Sequence, residues 1–319
     1  MRLATLADGS RDGRLTVVSV DGRRHLPAPG PLQAALDDWA AAEPVLRDLA
    51  ARLEQGEGEA FDMTACLAPL PRAWQWLDGS AYPQHGALMQ QAFKLPPIET
   101  DKPLMYQGMS HRFLSAVEDV PLPDEADGID FEGEFGVVTD DVPMGCSAAD
   151  ALAHIRLVVL LNDWSLRTIA PVEMKTGFGW VQAKPACSMA PIAVTPDALG
   201  DGWRDGRVHA TLTTTINGTR FGAVPAGEEM AFGFHELIAH AARTRDLPAG
   251  TIIGSGTVSS RDYARVGSSC LSERRAIDAI AGRPLTPFLS FGDRVAMVAE
   301  VAGEPVFGRI DQRVVAASA

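Results

Sequence analysis

The 319-residue chain lacks the features that mark several large classes of protein. Its four cysteines, Cys66, Cys146, Cys187 and Cys270, are far apart and form no CxxC pair, so we expect free thiols in a reducing compartment rather than a disulfide framework. No apolar run approaches the roughly 18 residues of a membrane span. The first ten residues contain no apolar core of signal-peptide length, and we therefore expect a cytoplasmic protein without membrane contact.

Positive charge is also scarce. The chain has 28 Lys and Arg against 41 Asp and Glu, a formal net charge of −13. Because an acidic surface repels phosphates, no nucleic-acid partner is expected. The hydrophobic fraction of 46% excludes a disordered chain, and at about 150 residues per domain the length indicates about two domains.

Three common catalytic motifs are missing. No GxSxG elbow is present, which argues against a serine α/β-hydrolase. His235 and His240 are five residues apart, which is not the spacing of an HExxH zinc motif. The glycines around Ser255 are not followed by the lysine of a phosphate-binding loop, so a nucleotide site is not expected.

The N-terminal part combines strand and helix patterns. A β-branched strand is predicted at residues 15–20, and apolar spacing predicts a helical stretch over residues 32–53 that breaks at Pro44. An exposed, then proline-rich, stretch follows. We place a small N-terminal domain at residues 1–70 and a catalytic domain at residues 71–319.

The remainder reads as strand-rich. Alternation predicts a strand at Phe131–Val138, and an apolar run predicts another at Ile155–Leu161. A helix is predicted at Ser147–His154 with its serine as N-cap, a second helix at Phe232–Arg243, and a strand at Thr251–Ser259. Many strands with few helices indicate a β-dominated α+β fold.

Two glutamates within a strand are the sharpest local feature. Residues two apart share one face of a strand, so Glu132 and Glu134 project together, while Phe131 and Phe135 take the other face. Adjacent carboxylates repel unless a cation or a shared proton compensates them. A hard divalent cation such as Mg²⁺ or Ca²⁺ suits oxygen ligands. A solvated strand face is the alternative.

Two further segments carry acidic residues. Asp163 directly follows the apolar strand and is either a third oxygen ligand or a turn residue. Asp78 and His85 belong to a Gly/Pro segment that we interpret as a loop. A histidine in a polar loop with a nearby carboxylate is a candidate general base, although most single histidines are structural.

Six segments carry a shared pattern: DGSAYPQH (78–85), PLMYQG (103–108), DFEGEFGVV (130–138), NDWSLR (162–167), AKP (183–185) and GSGTVSS (254–260). Taken together, these segments resemble the fumarylacetoacetate hydrolase family. The resemblance runs in family order over roughly residues 73–310, with a later, weaker match at GSSCLSER (267–274).

The resemblance implies a mixed β-sandwich roll with a small barrel-like N-terminal domain, assembled as a homodimer. It also implies a divalent metal, Mg²⁺ or Ca²⁺ with Mn²⁺ as a further option. Carried over by position, the metal ligands are Asp78, Glu132, Glu134 and Asp163, and His85 is the base that activates water.

The same resemblance assigns the surrounding residues. Glu273 orients the histidine, Arg167 and Lys184 lie near the developing negative charge of the substrate, and Tyr106 contacts the substrate.

Other positions depart from the family pattern. Lys94 lies where the family's fumarylacetoacetate hydrolases have a substrate-binding arginine, and Ser80, also a substrate-binding candidate, replaces a tyrosine. Ala170 and Met174 replace polar substrate contacts. The sequence therefore leaves the acyl group of the substrate open.

The expected function is a metal-dependent hydrolase that cleaves a carbon–carbon bond in a small β-diketo acid, an acylpyruvate or fumarylacetoacetate-like compound of aromatic catabolism. An isomerase, decarboxylase or hydratase of a 2-oxo acid is the alternative within the family, and His85 favours hydrolysis. A non-catalytic metal-binding protein is the alternative of another class. A purely structural ion site has no need for His85 and Lys184 together.

Overall fold

A computed structural model describes residues 1–94, 96 and 100–318. Within this part of the chain the strands are β1 Arg2–Leu6, β2 Arg14–Val18, β3 Arg24–Pro27, β4 Glu59–Ala60, β5 Trp76–Gly79, β6 Met105–Gly108, β7 Val120–Leu122, β8 Ile129–Asp130, β9 Gly133–Thr139, β10 Ile155–Asn162, β11 Ser165–Leu166, β12 Ser188–Met189, β13 Ala193–Val194, β14 Trp203–Arg204, β15 Arg207–Val208, β16 Thr211–Ile216, β17 Thr219–Pro225, β18 Ile252–Gly254, β19 Arg294–Val301 and β20 Glu304–Ala316.

Helices are fewer than strands among the described residues. The α-helices are α1 Leu32–Asp37, α2 Trp39–Glu54, α3 Pro83–Phe93, α4 Ala148–Ala151, α5 Ala170–Thr176, α6 Phe234–Ala241, α7 Tyr263–Val266 and α8 Leu271–Ile280. Short 3₁₀ turns occur at Met63–Ala65, Glu125–Asp127, Leu152–His154, Pro196–Gly202 and Ala242–Thr244. No helix among the described residues is both long and apolar enough to cross a bilayer.

Two sheets dominate the architecture. The larger has the strand order β4-β3-β2-β1-β13-β10-β9-β18-β5-β6, with β12 also paired to β10. The second has the order β17-β16-β19-β20-β7. The β-dominated α+β prediction is confirmed.

The central strand β10 shows why the sheet is covered on both faces. Its side chains alternate between two apolar clusters. Val158 and Leu160 join a cluster that contains β16, β19 and β20 residues of the second sheet. Leu157, Val159 and Leu161 join a cluster that contains residues of α1 and α2. A strand buried on both faces is expected to be a continuous apolar run.

The N-terminal strands continue the sheet that holds the candidate site. Strand β1 pairs antiparallel with β13, with Arg2 opposite Val194, and β13 pairs with β10. The division of the chain at residues 70 and 71 stays a prediction.

The break in the N-terminal helical stretch lies at Asp38, not at Pro44 as predicted. Asp38 lies between α1 and α2, and its side chain accepts a hydrogen bond from the Ala41 N–H at the start of α2. Pro44 lies inside α2, which continues for ten residues beyond it. One proline forfeits one backbone hydrogen bond, and the burial of Leu46 and Leu49 on the same helix offsets that loss.

Several predicted elements are shorter than the sequence pattern. The strand predicted at residues 251–259 is limited to β18, and the helix predicted at residues 232–243 is limited to α6 and a 3₁₀ turn. The segment Asp78–His85 is not a loop throughout, since it contains the end of β5 and the start of α3. Glu132 lies just before β9 rather than within it and forms an isolated bridge with Cys270.

Truncation of a β10 side chain tests this packing. Leu160 is fully buried, so Leu160→Ala is expected to lower the free energy of unfolding by about 2–5 kcal/mol, through lost burial and the cavity left behind. Leu152→Ala is the matched control, because Leu152 is 43% exposed and its truncation is expected to change stability by less than about 0.5 kcal/mol. Urea unfolding followed by circular dichroism measures both, and equal losses would contradict the assigned burial.

Candidate active site and metal centre

Four buried carboxylates converge at one end of the central strands. Oxygen atoms of Asp78, Glu132, Glu134 and Asp163 all lie within 4.8 Å of one another. The strand order β10-β9-β18-β5 explains this arrangement, because Asp163 follows β10, Glu134 lies on β9 and Asp78 lies on β5. The structure therefore brings together the four acidic residues that the resemblance names as ligands.

Backbone contacts attach Glu132 to the end of β10. The Glu132 N–H donates to Asn162 Oδ1 at 3.1 Å, and the Asp163 N–H donates to the Glu132 carbonyl oxygen at 2.9 Å. These bonds hold two of the carboxylate-bearing residues side by side on a rigid support.

Gly256 joins the other two carboxylates. Its N–H lies 3.1 Å from both Asp78 Oδ1 and Glu134 Oε2. Its φ of +73° is left-handed, and a Cβ there would lie 2.4 Å from the Gly79 carbonyl oxygen. Only glycine suits this close approach. The sequence pattern identified the GSGTVSS segment but not this contact.

Two cations offset part of the negative charge. Lys184 Nζ donates to Glu132 Oε2 at 2.7 Å and to Asp163 Oδ2 at 2.6 Å. Arg167 donates to Asp130 Oδ2 at 2.8 Å and also to Glu132. Burial by itself would raise the pKa of Glu132, but Lys184 and Arg167 hold it well below its usual range. Burial by itself would lower the pKa of Lys184, but Asp163 and Glu132 raise it, so its ammonium stays charged.

Asp78 and Glu134 have a different environment. Burial, followed by the charge of Asp163, raises the pKa of Asp78 to about 8. Burial, followed by the charge of Asp78, raises the pKa of Glu134 well above its usual range. Glu134 Oε1 is buried without a hydrogen-bond partner among the described residues. The cluster is thus short of positive charge on this side.

These residues fit a divalent cation. The donor set consists of carboxylate oxygens only, which Mg²⁺, Ca²⁺ and Mn²⁺ accept as ligands. The unpartnered Glu134 oxygen and the raised pKa values of Asp78 and Glu134 both indicate that a cation is needed to stabilise the ionised cluster.

Each carboxylate oxygen of Asp163 also has a neutral hydrogen-bond donor, in addition to the charged Lys184 that bonds to Oδ2. Tyr106 Oη donates to Oδ2 at 2.7 Å, and Cys187 Sγ lies 2.8 Å from Oδ1. Burial raises the pKa of the Tyr106 phenol and of the Cys187 thiol, so both remain protonated donors. Tyr106 was a predicted substrate contact, whereas Cys187 was expected only as a buried thiol.

His85 and Glu273 form a pair beside the cluster. His85 lies in the first turn of α3 and Glu273 in the first turn of α8, with His85 Nδ1 3.3 Å from Glu273 Oε2. The two helices pack through a small apolar cluster that includes Leu88 and Ile277. His85 contributes, after Lys184 and Arg167, to the lowered pKa of Glu132, so the ring lies near that carboxylate.

Asp130 is a site residue that sequence reasoning missed. It is fully buried, and its carboxylate accepts hydrogen bonds from Arg167 and from the backbone N–H groups of Leu271 and Ser272, at 2.7 and 2.9 Å. These are the first two residues of α8. The alternation that relates Glu132 to Glu134 also extends back to Asp130, and this was the available signal.

Lys94 and Ser80 lie apart from these contacts. Lys94 ends α3 at a φ of +54° with an exposed side chain. Ser80 is exposed, and its N–H donates to the Leu104 carbonyl oxygen. No hydrogen bond or ion pair of the described chain joins either side chain to the four carboxylates, and their substrate-binding roles stay predictions.

Comparison with known families identifies the class of protein. Residues 75–315 match the family described as fumarylacetoacetate (FAA) hydrolase C-terminal, and residues 1–72 match fumarylacetoacetase N-terminal domain 2. The chain belongs to the fumarylacetoacetate hydrolase family, as its motifs predicted.

Relatives in the family include hydrolases and tautomerases. The chain is 29% identical over 164 residues to a 2,4-didehydro-3-deoxy-L-rhamnonate hydrolase of Sphingomonas sp., with 50% of this chain and 54% of that protein covered. It is 24% identical over 161 residues to a mitochondrial oxaloacetate tautomerase of Homo sapiens, with 49% and 48% covered. The chain thus spans about half the length of the curated relatives it matches.

A solved structure shares the fold over the whole chain. Maleylpyruvate hydrolase from Sphingobium sp., in complex with manganese (II) and pyruvate, has a TM-score of 0.67 and 16% identity, with 100% of both chains covered. At this identity the likeness shows the fold.

The raised pKa values predict proton release when a metal binds. The raised pKa values of Asp78 and Glu134 favour their protonated forms without metal, and these protons must leave for the carboxylates to act as ligands. The affinity for Mn²⁺ is therefore expected to rise between about pH 6 and about pH 8, by about tenfold per pH unit for each proton released. Calorimetric titration in buffers of different ionisation enthalpy counts the protons.

Asp150→Asn provides the control, because Asp150 is an exposed residue of α4 outside the site and its loss should leave this pH dependence intact. An Mn²⁺ affinity that is constant over the same pH range would contradict the protonation of Asp78 and Glu134.

Proposed function

We propose that the protein is a metal-dependent hydrolase that cleaves a carbon–carbon bond in a small β-diketo acid of the acylpyruvate or fumarylacetoacetate type. The observation that carries this proposal is the His85–Glu273 pair beside four carboxylates and two cations. A base, an orienting group and fixed positive charge are the parts that water addition to a carbonyl requires.

His85 is the proposed base. With Nδ1–H donating to the buried Glu273 carboxylate, the lone pair of Nε2 is free to take a proton from water. The water oxygen then bonds to the acyl carbonyl carbon, and the bond from that carbon to the neighbouring methylene carbon breaks. The methylene carbon gains the proton, and two acids result.

A divalent cation held by Asp78, Glu132, Glu134 and Asp163 would supply Lewis-acid stabilisation of the charge that develops on the dicarbonyl oxygens. Mg²⁺, Ca²⁺ and Mn²⁺ are the candidates, and the manganese (II) in the Sphingobium maleylpyruvate hydrolase supports the third.

Lys184 and Arg167 are the proposed electrostatic groups. The Lys184 ammonium has three N–H donors, and two of them are directed at Glu132 and Asp163. The third is available to a substrate oxygen. Arg167 is held by Asp130 and Glu132, so its charge is oriented before substrate binds.

Tautomerisation is the second candidate, because several relatives are named oxaloacetate tautomerases. Isomerisation, decarboxylation and hydration use the same 2-oxo-acid chemistry. Product analysis separates these reactions, since hydrolysis gives two acids, decarboxylation gives CO₂, and isomerisation or tautomerisation keeps the mass.

A homodimeric assembly is also proposed, and sedimentation equilibrium measures it.

Replacement of the base is expected to slow hydrolysis. His85→Gln should lower kcat for an acylpyruvate by about 10²–10⁴-fold, because water loses its proton acceptor. Loss of the enol absorbance measures the rate, and mass spectrometry identifies the two acids. His240→Gln, on α6 and outside the site, is the matched histidine control and should keep the wild-type rate.

Two results would contradict the proposal. His85→Gln with unchanged kcat would remove the base assignment, provided that its Mn²⁺ affinity shows an intact cluster. Activity that persists after complete chelation of divalent metal would remove the metal-dependent reaction.

A further inference from the structure

The Glu173 carboxylate bonds to the end of the segment that directly precedes Lys184. This segment, residues 170–183, consists of α5 and the connection after it, and is called the strap below. Glu173, on α5, accepts hydrogen bonds from three consecutive backbone N–H groups: Val181 at 3.1 and 3.2 Å, Gln182 at 3.0 Å and Ala183 at 3.0 Å. These bonds lower the pKa of Glu173, with that from Gln182 contributing most, so the carboxylate is ionised at neutral pH.

The last of these amides lies directly before Lys184. Ala183 is fully buried, and its carbonyl oxygen accepts the Leu166 N–H at 2.8 Å. Glu173 accepts the N–H of Ala183 and Leu166 donates to its carbonyl oxygen, so the peptide units on both sides of Ala183 are fixed. The backbone position of Lys184 follows from that of Ala183, and its ammonium then reaches two of the four carboxylates.

Trp180 connects the strap to the same group of residues. Its indole N–H donates to the Ala170 carbonyl oxygen at 3.3 Å, and its ring packs edge-on against Tyr106 at 4.6 Å between centroids. Lys184 Nζ lies 5.6 Å from the Trp180 ring and 5.5 Å from the Tyr106 ring. At the tip of the strap the Thr176 hydroxyl donates to the Glu173 carbonyl oxygen at 2.7 Å and accepts the Phe178 N–H at 3.2 Å, while the Phe178 side chain is 96% exposed. Neither of these bonds reaches residues 181–183, which the Glu173 carboxylate joins to α5.

From this geometry we infer that Glu173 is a positioning residue, which sets Lys184 against the carboxylate cluster and Trp180 against Tyr106 by bonding the two ends of the strap together. The expected effect of Glu173 on substrate binding rests on the proposed function, whereas its expected effect on the strap does not. Without the carboxylate, the buried Ala183 N–H loses its acceptor, and residues 181–183 are no longer bonded to α5. Lys184 is then expected to become accessible and poorly aligned.

The test compares Glu173→Ala and Glu173→Gln with the wild-type protein. The glutamine keeps one acceptor oxygen, but its amide N–H groups oppose backbone donors, so its effects should be intermediate. Lys175→Ala is the matched control, because Lys175 lies on the same helix, is exposed and makes no bond to the strap amides.

Two readouts need no turnover. Hydrogen exchange of the peptide 177–183 is expected to quicken by about tenfold or more in Glu173→Ala, while peptides from β9 keep their protection. Labelling of Lys184 with an amine-acetylating reagent, detected by peptide mass spectrometry, should rise by a similar factor, because the wild-type side chain is buried and charged. Lys175→Ala should leave both unchanged.

Binding of pyruvate in the presence of Mn²⁺ gives the third readout. Its affinity should fall by about tenfold in Glu173→Ala and less in Glu173→Gln, and the KM for an acylpyruvate should rise with it. Faster exchange of residues 177–183 with unchanged Lys184 labelling and pyruvate affinity would overturn the inference, since Glu173 would then support only the strap. If wild-type protein hydrolyses no acylpyruvate, the proposed function fails, while exchange and labelling still decide the role of Glu173.

Discussion

Charge balance in one buried cluster is the constraint on which the site depends. Four carboxylates lie within 4.8 Å of one another, and they are ionised together only when enough positive charge surrounds them. Lys184 and Arg167 supply it on the side of Glu132 and Asp163. Asp78 and Glu134 share a backbone amide and form no ion pair with a described side chain, so this side of the cluster is the one that a divalent ion would stabilise most.

The fold meets this constraint by fixing each charged group through the backbone. The two central strands place Asp163 and Glu134, a glycine amide joins Glu134 to Asp78, and Asp130 orients Arg167 while bonding the first amides of α8. Asp130 thereby connects helix α8, which carries Glu273, to Arg167, which bonds to Glu132. The His85–Glu273 pair and the carboxylate cluster are therefore linked through Asp130 and the backbone of α8.

Residue type and spacing made part of this arrangement predictable. The alternation of Glu132 and Glu134, the apolar run before Asp163 and the family motifs predicted the fold class and the residues that converge. The roles of Gly256 and Glu173 could not be read in the same way, because each binds backbone amides brought close only by the tertiary fold. The break at Asp38 rather than Pro44 has a similar cause, since burial of the α2 side chains decides it and not local propensity.

The order of the strands also determines when the carboxylate cluster can assemble during folding. The residues that surround the cluster come from positions as far apart as Asp78 and Glu273, and β18, late in the chain, inserts between β9 and β5. No fragment shorter than residues 78–273 contains the complete set. Partly synthesised or truncated chains therefore present the carboxylates unassembled, and the cluster is complete only after the long-range pairing of β18.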